Sequence, residues 1–136
     1  MTSLAVRIAV AAIALVAVAW FALGIHQNAD LSAATAIASR PHPTAAAARH
    51  ANALLDSASS LNPDQTIGIT RAQLALAQGD EPRARSILER VVHAEPQNLT
   101  AWIGLERASG NDTHAREIAF AHAVVLSHTS LKGFGG

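Results

Sequence analysis

Residues 77–96, AQGDEPRARSILERVVHAEP, decide the fold that we expect for this chain. Gly79 suits the left-handed backbone that ends a helix, and Asp80 is a residue type that caps the start of the next one. Pro96 marks the start of a further helix, because a proline at the first helical position gives up an amide that has no partner there. The stretch therefore predicts one helix enclosed by two turns.

The first of these turns occurs a second time further along the chain. Gly110 takes the place of the glycine, and either Asn111 or Asp112 is available to cap the helix that follows. Ala84 and Ala115 follow the two turns at the same distance, and we expect paired helices to cross closely at both alanines. A larger side chain at either position is then expected to force the helices apart.

The spacing of small residues and prolines indicates an internal repeat. Ala51 and Ala84 are 33 residues apart, and so are Pro63 and Pro96. A period in the low thirties built from helix pairs is typical of a helical solenoid, in which each unit packs on its neighbours. From residue 44 onward no segment alternates between apolar and polar residues as a strand does, so we expect an all-α fold.

Residues 44–128 resemble the tetratricopeptide repeat (TPR) family. The resemblance is carried by a Trp-x-x-Leu pair, turn glycines, small residues and closing prolines: Trp102, Leu105, Gly110 and Ala115 in one unit, Gly79, Ala84 and Pro96 in the preceding one, and Ala51, Ala58 and Pro63 in a partial earlier unit. Three features differ from the family's pattern. Glu106 occupies the position of a small residue, the last unit is shortened, and Ser127 lies near the position where that unit would have its final proline. The chain holds about two and a half units, close to the minimum of about three needed for independent stability.

The resemblance implies where a partner would bind. In this family the first helices of the units line a concave surface that receives peptide segments or partner helices. Carried onto this chain, the partner-binding positions are Thr70, Gln73, Thr100, Ile103, Glu106 and Arg107. Trp102 itself is expected to contribute to the core more than to a contact.

The N-terminal segment predicts a membrane anchor. Residues 4–25, LAVRIAVAAIALVAVAWFALGI, contain Arg7 as their only charge. As a helix they span about 33 Å, enough for a hydrocarbon core of about 30 Å. Trp20 and Phe21, near the opposite end from Arg7, suit the second interface. A cleaved signal peptide is the alternative, because such peptides also begin with a positive charge and an apolar stretch.

The flanking charges and the alanines of this segment give two further expectations. Arg7 and the α-amino group place the N-terminus in the cytoplasm and the C-terminal domain in the periplasm or another extracytoplasmic space. Small residues let helices approach closely in lipid, so Ala5, Ala9 and Ala12 form the expected transmembrane packing face.

The chain divides into four predicted regions. Residues 1–27 form the transmembrane anchor, and residues 28–43 form a juxtamembrane helix and a proline-containing linker. Residues 44–130 form the TPR-like helical domain, and residues 131–136 form a flexible tail. The prolines at positions 41 and 43 break the helix and separate the anchor from the domain.

The composition and the residue spacing argue against catalytic, cofactor-binding, metal-binding and nucleic-acid-binding sites. The chain has no cysteine, and its formal net charge of zero lacks the excess of basic residues that nucleic-acid binding favours. Its seven histidines include no His-x-x-x-His pair, so no two lie one helical turn apart as a helix-borne zinc site requires. We expect no catalytic, cofactor-binding or metal-binding residues and no cofactor.

These expectations combine into one function and two alternatives. The chain is predicted to be a non-enzymatic, membrane-anchored scaffold or adaptor that binds other proteins, above all integral membrane or envelope proteins, in a bacterial-type envelope complex. The first alternative is an accessory subunit that stabilises a larger membrane enzyme or transporter through its transmembrane helix. The second is a periplasmic enzyme with a site that the sequence does not reveal.

Overall fold

The computed structural model describes the backbone of residues 2–59 and 65–132, and the side chains of residues 8–20, 28–59 and 65–128. Within these ranges the chain is all-helical, as predicted, and contains no strand. The helices are α1 (Thr2–Ala38), α2 (Ala45–Ser59), α3 (Gln65–Ala77), α4 (Glu81–Ala94), α5 (Leu99–Ala108) and α6 (Thr113–Lys132).

The prediction of a single-pass membrane protein with an extracytoplasmic domain is wrong. Among the described residues, no helix has the length and apolar character that a membrane crossing needs. Helix α1 contains the apolar residues 8–20, whose side chains the structure describes. Helix α1 then continues without a break through the polar residues Asn28 and Asp30 to Ala38.

Two further predictions, the transmembrane packing face and the accessory subunit, assumed this membrane span. Ala9 and Ala12 are exposed on α1, and the side chain of Ala5 lies outside the described residues. The large apolar side chains of residues 8–20 are also exposed, with Trp20 at 81%.

The remaining helices pair in chain order. Helix α1 packs on α2, α3 on α4, and α5 on α6, while neighbouring hairpins contact each other through α1–α3, α2–α3, α3–α5 and α4–α5. The sequence interpretation began the repeat at residue 44. The structure begins it earlier, because residues 28–38 of α1 form the first helix of the first hairpin. The described chain therefore contains three complete helical hairpins in a solenoid-like arrangement.

Two clusters of buried side chains hold the hairpins together. The first core joins the end of α1 to α2 and α3, and consists of Ala34, Ala38, Ala48, Ala51, Leu55, Ala58, Ile67 and Leu74. The second core joins α3, α4, α5 and α6, and consists of Ala72, Ala75, Ala84, Leu88, Val91, Val92, Ala101, Leu105, Ala108 and Ala119. Helix α3 contributes to both cores and so connects the first hairpin to the others.

The predicted turn chemistry is confirmed at both glycine turns. Gly79 and Gly110 have φ values of 77° and 51°, in the left-handed region that side chains disfavour. Asp80 Oδ1 accepts a hydrogen bond from the backbone N–H of Arg83 at 3.2 Å and caps α4. Asp112, rather than Asn111, caps α6, and its Oδ1 accepts from the backbone N–H of Ala115 at 3.0 Å.

Two local expectations are corrected. Helix α5 begins at Leu99 and not at Pro96, because Asn98 Oδ1 accepts from the backbone N–H of Ala101 at 3.0 Å and forms the cap. The close approach of α6 to the second core is made by Ala119, which is 1% exposed, and not by the half-buried Ala115. The expected contact at Ala84 is confirmed, since this residue is fully buried.

Candidate functional site

A continuous groove runs along the first helices of the three hairpins. One cavity, of about 390 Å³, lies between the end of α1, α3 and the end of α5. A second, of about 160 Å³, lies between α3, α4 and α5. Both are lined by Gln73, Leu76 and Arg107, so they form one surface. The lining residues of this α3–α5 groove are Ala38, Ser39, Arg40, Pro41, Ile69, Ala72, Gln73, Leu76, Ala77, Leu88, Thr100, Ile103, Gly104 and Arg107.

Helical periodicity explains why these side chains converge. Helix α3 contributes residues 69, 72, 73 and 76, and α5 contributes residues 100, 103, 104 and 107. Both sets have the i, i+3, i+4, i+7 spacing of one helix face. The packing of α3 against α5 brings the two faces to opposite sides of one cleft.

The groove has an apolar centre and a cationic end. Ile69, Leu76 and Ile103 supply apolar surface, and Ile103 is 45% exposed. Arg40 and Arg107, both exposed, lie at the larger cavity, where Gln73 adds an amide. None of the lining residues is acidic. The chemistry of the groove therefore suits an apolar side chain beside an anionic group.

The structure brings four of the six sequence-predicted binding residues into this groove: Gln73, Thr100, Ile103 and Arg107. Thr70 is only 3% exposed, and its Oγ1 donates a hydrogen bond to the carbonyl oxygen of Thr66 at 2.9 Å. Glu106 is half-buried and does not line the groove. Thr70 and Glu106 lie beside the lining face of their helices and not on it.

Sequence reasoning missed Arg40, Ile69 and Leu76. Ile69 and Leu76 lie at i−4 and i+3 from Gln73, so extending the helical stripe around that residue would have found them. Arg40 was assigned to a linker between an anchor and a domain. Because residues 28–38 belong to the first hairpin, the turn after them instead forms one edge of the groove.

Trp102 lies outside the groove and fixes α5 to its surroundings. The half-buried ring packs against the second core, and its Nε1–H donates to the carbonyl oxygen of Pro96 at 2.8 Å. The ring also stacks on His122 of α6, with centroids 4.2 Å apart and planes 9° apart. Through these two contacts Trp102 connects α5 to the turn that contains Pro96 and to α6.

An ion-pair network connects α4 to the start of α6. Arg85 contacts Glu89 and Asp112, in each case at 2.9 Å. The backbone N–H of Ala115 and then the Arg85 guanidinium stabilise the charged carboxylate, so the pKa of Asp112 lies below its ordinary value. Helical spacing alone predicts the pairs Glu81–Arg85 and Asp112–Arg116, but the structure pairs Arg85 with Glu89 and Asp112 instead.

The part of the chain that the structure describes contains no cluster of side chains that could bind a metal ion. No group of three or more His, Asp or Glu side chains is close enough there to hold an ion.

Comparison of the chain with protein-family models, with curated proteins and with solved structures finds no match.

Proposed function

We propose that this protein is a TPR-like interaction module that binds a segment of a partner protein in the α3–α5 groove. The observation that carries the proposal is the groove itself. Its centre is lined by one face of α3 and one face of α5, whose lining residues have the same i, i+3, i+4, i+7 spacing. The end of α1 closes one side. The contacts of α1 with α3 and of α3 with α5 support the likeness to TPR arrays, whose first helices line the binding surface.

The lining chemistry defines the partner segment. The exposed part of Ile103, together with Leu76 and Ile69, favours an apolar side chain, since removing such surface from water stabilises a complex. Arg107 and Arg40 favour a carboxylate, because hydrogen bonds between ionised groups are about twice as strong as neutral ones. The partner is thus a peptide segment with an apolar residue and an acidic residue close together.

A peptide-display selection on the full-length protein tests this function. We expect enrichment of sequences that combine an apolar and an acidic residue. Synthetic versions of these peptides are then titrated against the wild type, Arg107→Glu and Ile103→Asp by fluorescence anisotropy. Reversing the charge or making the centre polar is expected to weaken binding by at least about tenfold, or 1.4 kcal/mol.

Arg116→Glu is the matched control, because it makes the same charge change at an exposed position of α6. It is expected to leave the affinity unchanged. Thermal unfolding of each variant checks that the fold is intact. Equal affinity for the wild type and both groove variants, or a selection that enriches no common chemistry, would reject the proposed function.

A further inference from the structure

A second cavity, separate from the groove, lies between α3 and α4. Its volume is about 380 Å³, and it shares no lining residue with the α3–α5 groove. The lining residues of this α3–α4 cavity are Gln65, Gly68, Arg71, Arg83, Ser86, Ile87, Arg90 and Val91. Three of the eight are arginines and none is acidic.

Helical spacing directs the arginines to this place. Arg83, Ser86, Ile87 and Arg90 are at i, i+3, i+4 and i+7 and therefore share one face of α4. Arg71 reaches the cavity from α3. Two helices thus present guanidinium groups to one space, an arrangement that repels itself unless anions balance it.

The described carboxylates neutralise only part of this charge. Arg71 Nη2 contacts Asp56 Oδ1 of α2 at 2.6 Å. Arg90 Nη1 donates to the hydroxyl of Ser86 at 3.1 Å, and that contact supplies a hydrogen-bond partner but no negative charge. For Arg83 the structure records a backbone bond to Asp80 and no side-chain ion pair. Among the described residues the cavity retains an excess of about two positive charges.

The side chain of Arg71 also has a hydrogen-bond donor that no described residue accepts from. Its Nε is buried and has no hydrogen-bond partner among the described residues, although Nη2 is engaged by Asp56. A buried N–H of a charged group without an acceptor is unfavourable, and most such groups in folded proteins are paired. Because the Arg71 side chain is 32% exposed, an oxyanion in the cavity would reach its exposed atoms and not the buried Nε–H, and would offset part of this cost through its charge.

We infer that the α3–α4 cavity binds a phosphate group. Guanidinium groups match the geometry of phosphate oxygens and remain charged at all relevant pH values. The excess of about two positive charges matches the charge of a phosphate monoester near neutral pH, which is about −1.5 to −2. Arg83, Arg90 and Arg71 bind the oxygens, and the Ser86 hydroxyl supplies a further donor. The cavity volume leaves room for the group that carries the phosphate.

Titration of the ¹⁵N-labelled full-length protein at constant ionic strength tests the site, with inorganic phosphate and O-phosphoserine as separate probes. Saturable NMR shifts are expected at amides around Ser86, and the two probes distinguish free phosphate from a phosphate ester. Arg83→Ala and Arg90→Ala are each expected to weaken binding by at least about tenfold, since each removes a charge-assisted contact. Arg116→Ala, which removes the same charge at an exposed position of α6, is the control and is expected to bind as the wild type does.

The pH dependence separates phosphate from a carboxylate ligand. A phosphate ester gains its second proton with a pKa of about 6, so its affinity is expected to fall between about pH 7.5 and pH 5. Acetate is expected to give no saturable shifts. Linear shifts with both phosphate probes, or equal weakening by Arg83→Ala and Arg116→Ala, would overturn the assignment. A failure here leaves peptide binding in the α3–α5 groove untouched, because the two sites share no residue.

Discussion

The first and last hairpins of this protein differ in the contacts that hold them together. Alanines make up most of the first core, and Ala34 and Ala51 are fully buried there. The last hairpin also buries alanines, among them Ala101 and Ala119, and adds the ring of Trp102 stacked on α6 and the ion pair of Asp112 with Arg85 of α4. The first hairpin therefore depends mainly on small side chains, whereas the last depends in addition on particular groups, so different mutations should break them.

The largest effect is expected from removing volume where the hairpins meet. Leu88 is 1% exposed in the second core and also lines the α3–α5 groove. Leu88→Ala is expected to lower the free energy of unfolding by about 2–5 kcal/mol, because the cavity that it leaves cannot fully collapse. Urea denaturation measures the change. Val125→Ala, at a site that is 64% exposed, is the control and should cost far less.

Adding volume should break the alanine-rich first hairpin. Ala34→Leu places a larger side chain at a fully buried position of α1 and is expected to destabilise the protein by about 1–3 kcal/mol through overpacking. Ala36→Leu makes the same change at an exposed position of the same helix and is expected to be nearly neutral. If both variants unfold at the same urea concentration, the first hairpin does not depend on close packing.

The caps of the last hairpin should have a smaller effect. Asp112→Ala removes both the cap of α6 and the contact with Arg85, and is expected to cost about 0.5–2 kcal/mol for the cap. Asp112→Asn separates the two contributions, because asparagine caps a helix equally well but carries no charge. A thermal unfolding temperature for Asp112→Asn as low as that for Asp112→Ala would show that the ion pair, and not the cap, matters.

The smallest expected effect is a dependence of stability on acid pH. The pKa of Asp112 is lowered in the folded protein from an ordinary value of 3.8, first by the Ala115 N–H and then by Arg85. The carboxylate therefore contributes stability above about pH 3.8, and this contribution is lost as the pH falls through the lower folded pKa. Denaturation of the wild type and Asp112→Asn across this range should show the difference between them shrinking in acid, and a constant difference would contradict it.

The sequence was most informative where one residue type determines a local geometry. Gly79 and Gly110 marked turns because only a residue without a side chain takes positive φ easily, and Asp80 and Asp112 followed as caps. It was least informative at the first hairpin. The turn at residues 39–44 is longer than the other two and contains no glycine, so the signal that marked those turns did not mark this one.

The N-terminal error had a related origin. The length of the apolar run at residues 4–25 indicated a separate transmembrane segment, whereas the structure shows one helix that runs on to Ala38 and packs on α2. The sequence also did not show which side of α3 lines the groove. Thr70 and Gln73 are one turn apart, yet one is buried and the other lines the groove, and only the packing of neighbouring helices decides between them.

Helix α4 lies between two glycines, and their positions give the array a property of its own. A Cβ atom added at Gly68 of α3 would approach Val91 to 3.0 Å, and one added at Gly104 of α5 would approach Leu88 to 3.1 Å. These two close approaches fix the distances from α4 to its neighbours, and Gly68 and Gly104 also line the two proposed sites. We therefore expect any displacement of α4 to change the width of both sites and the curvature of the array together. The two glycines determine how closely successive hairpins stack.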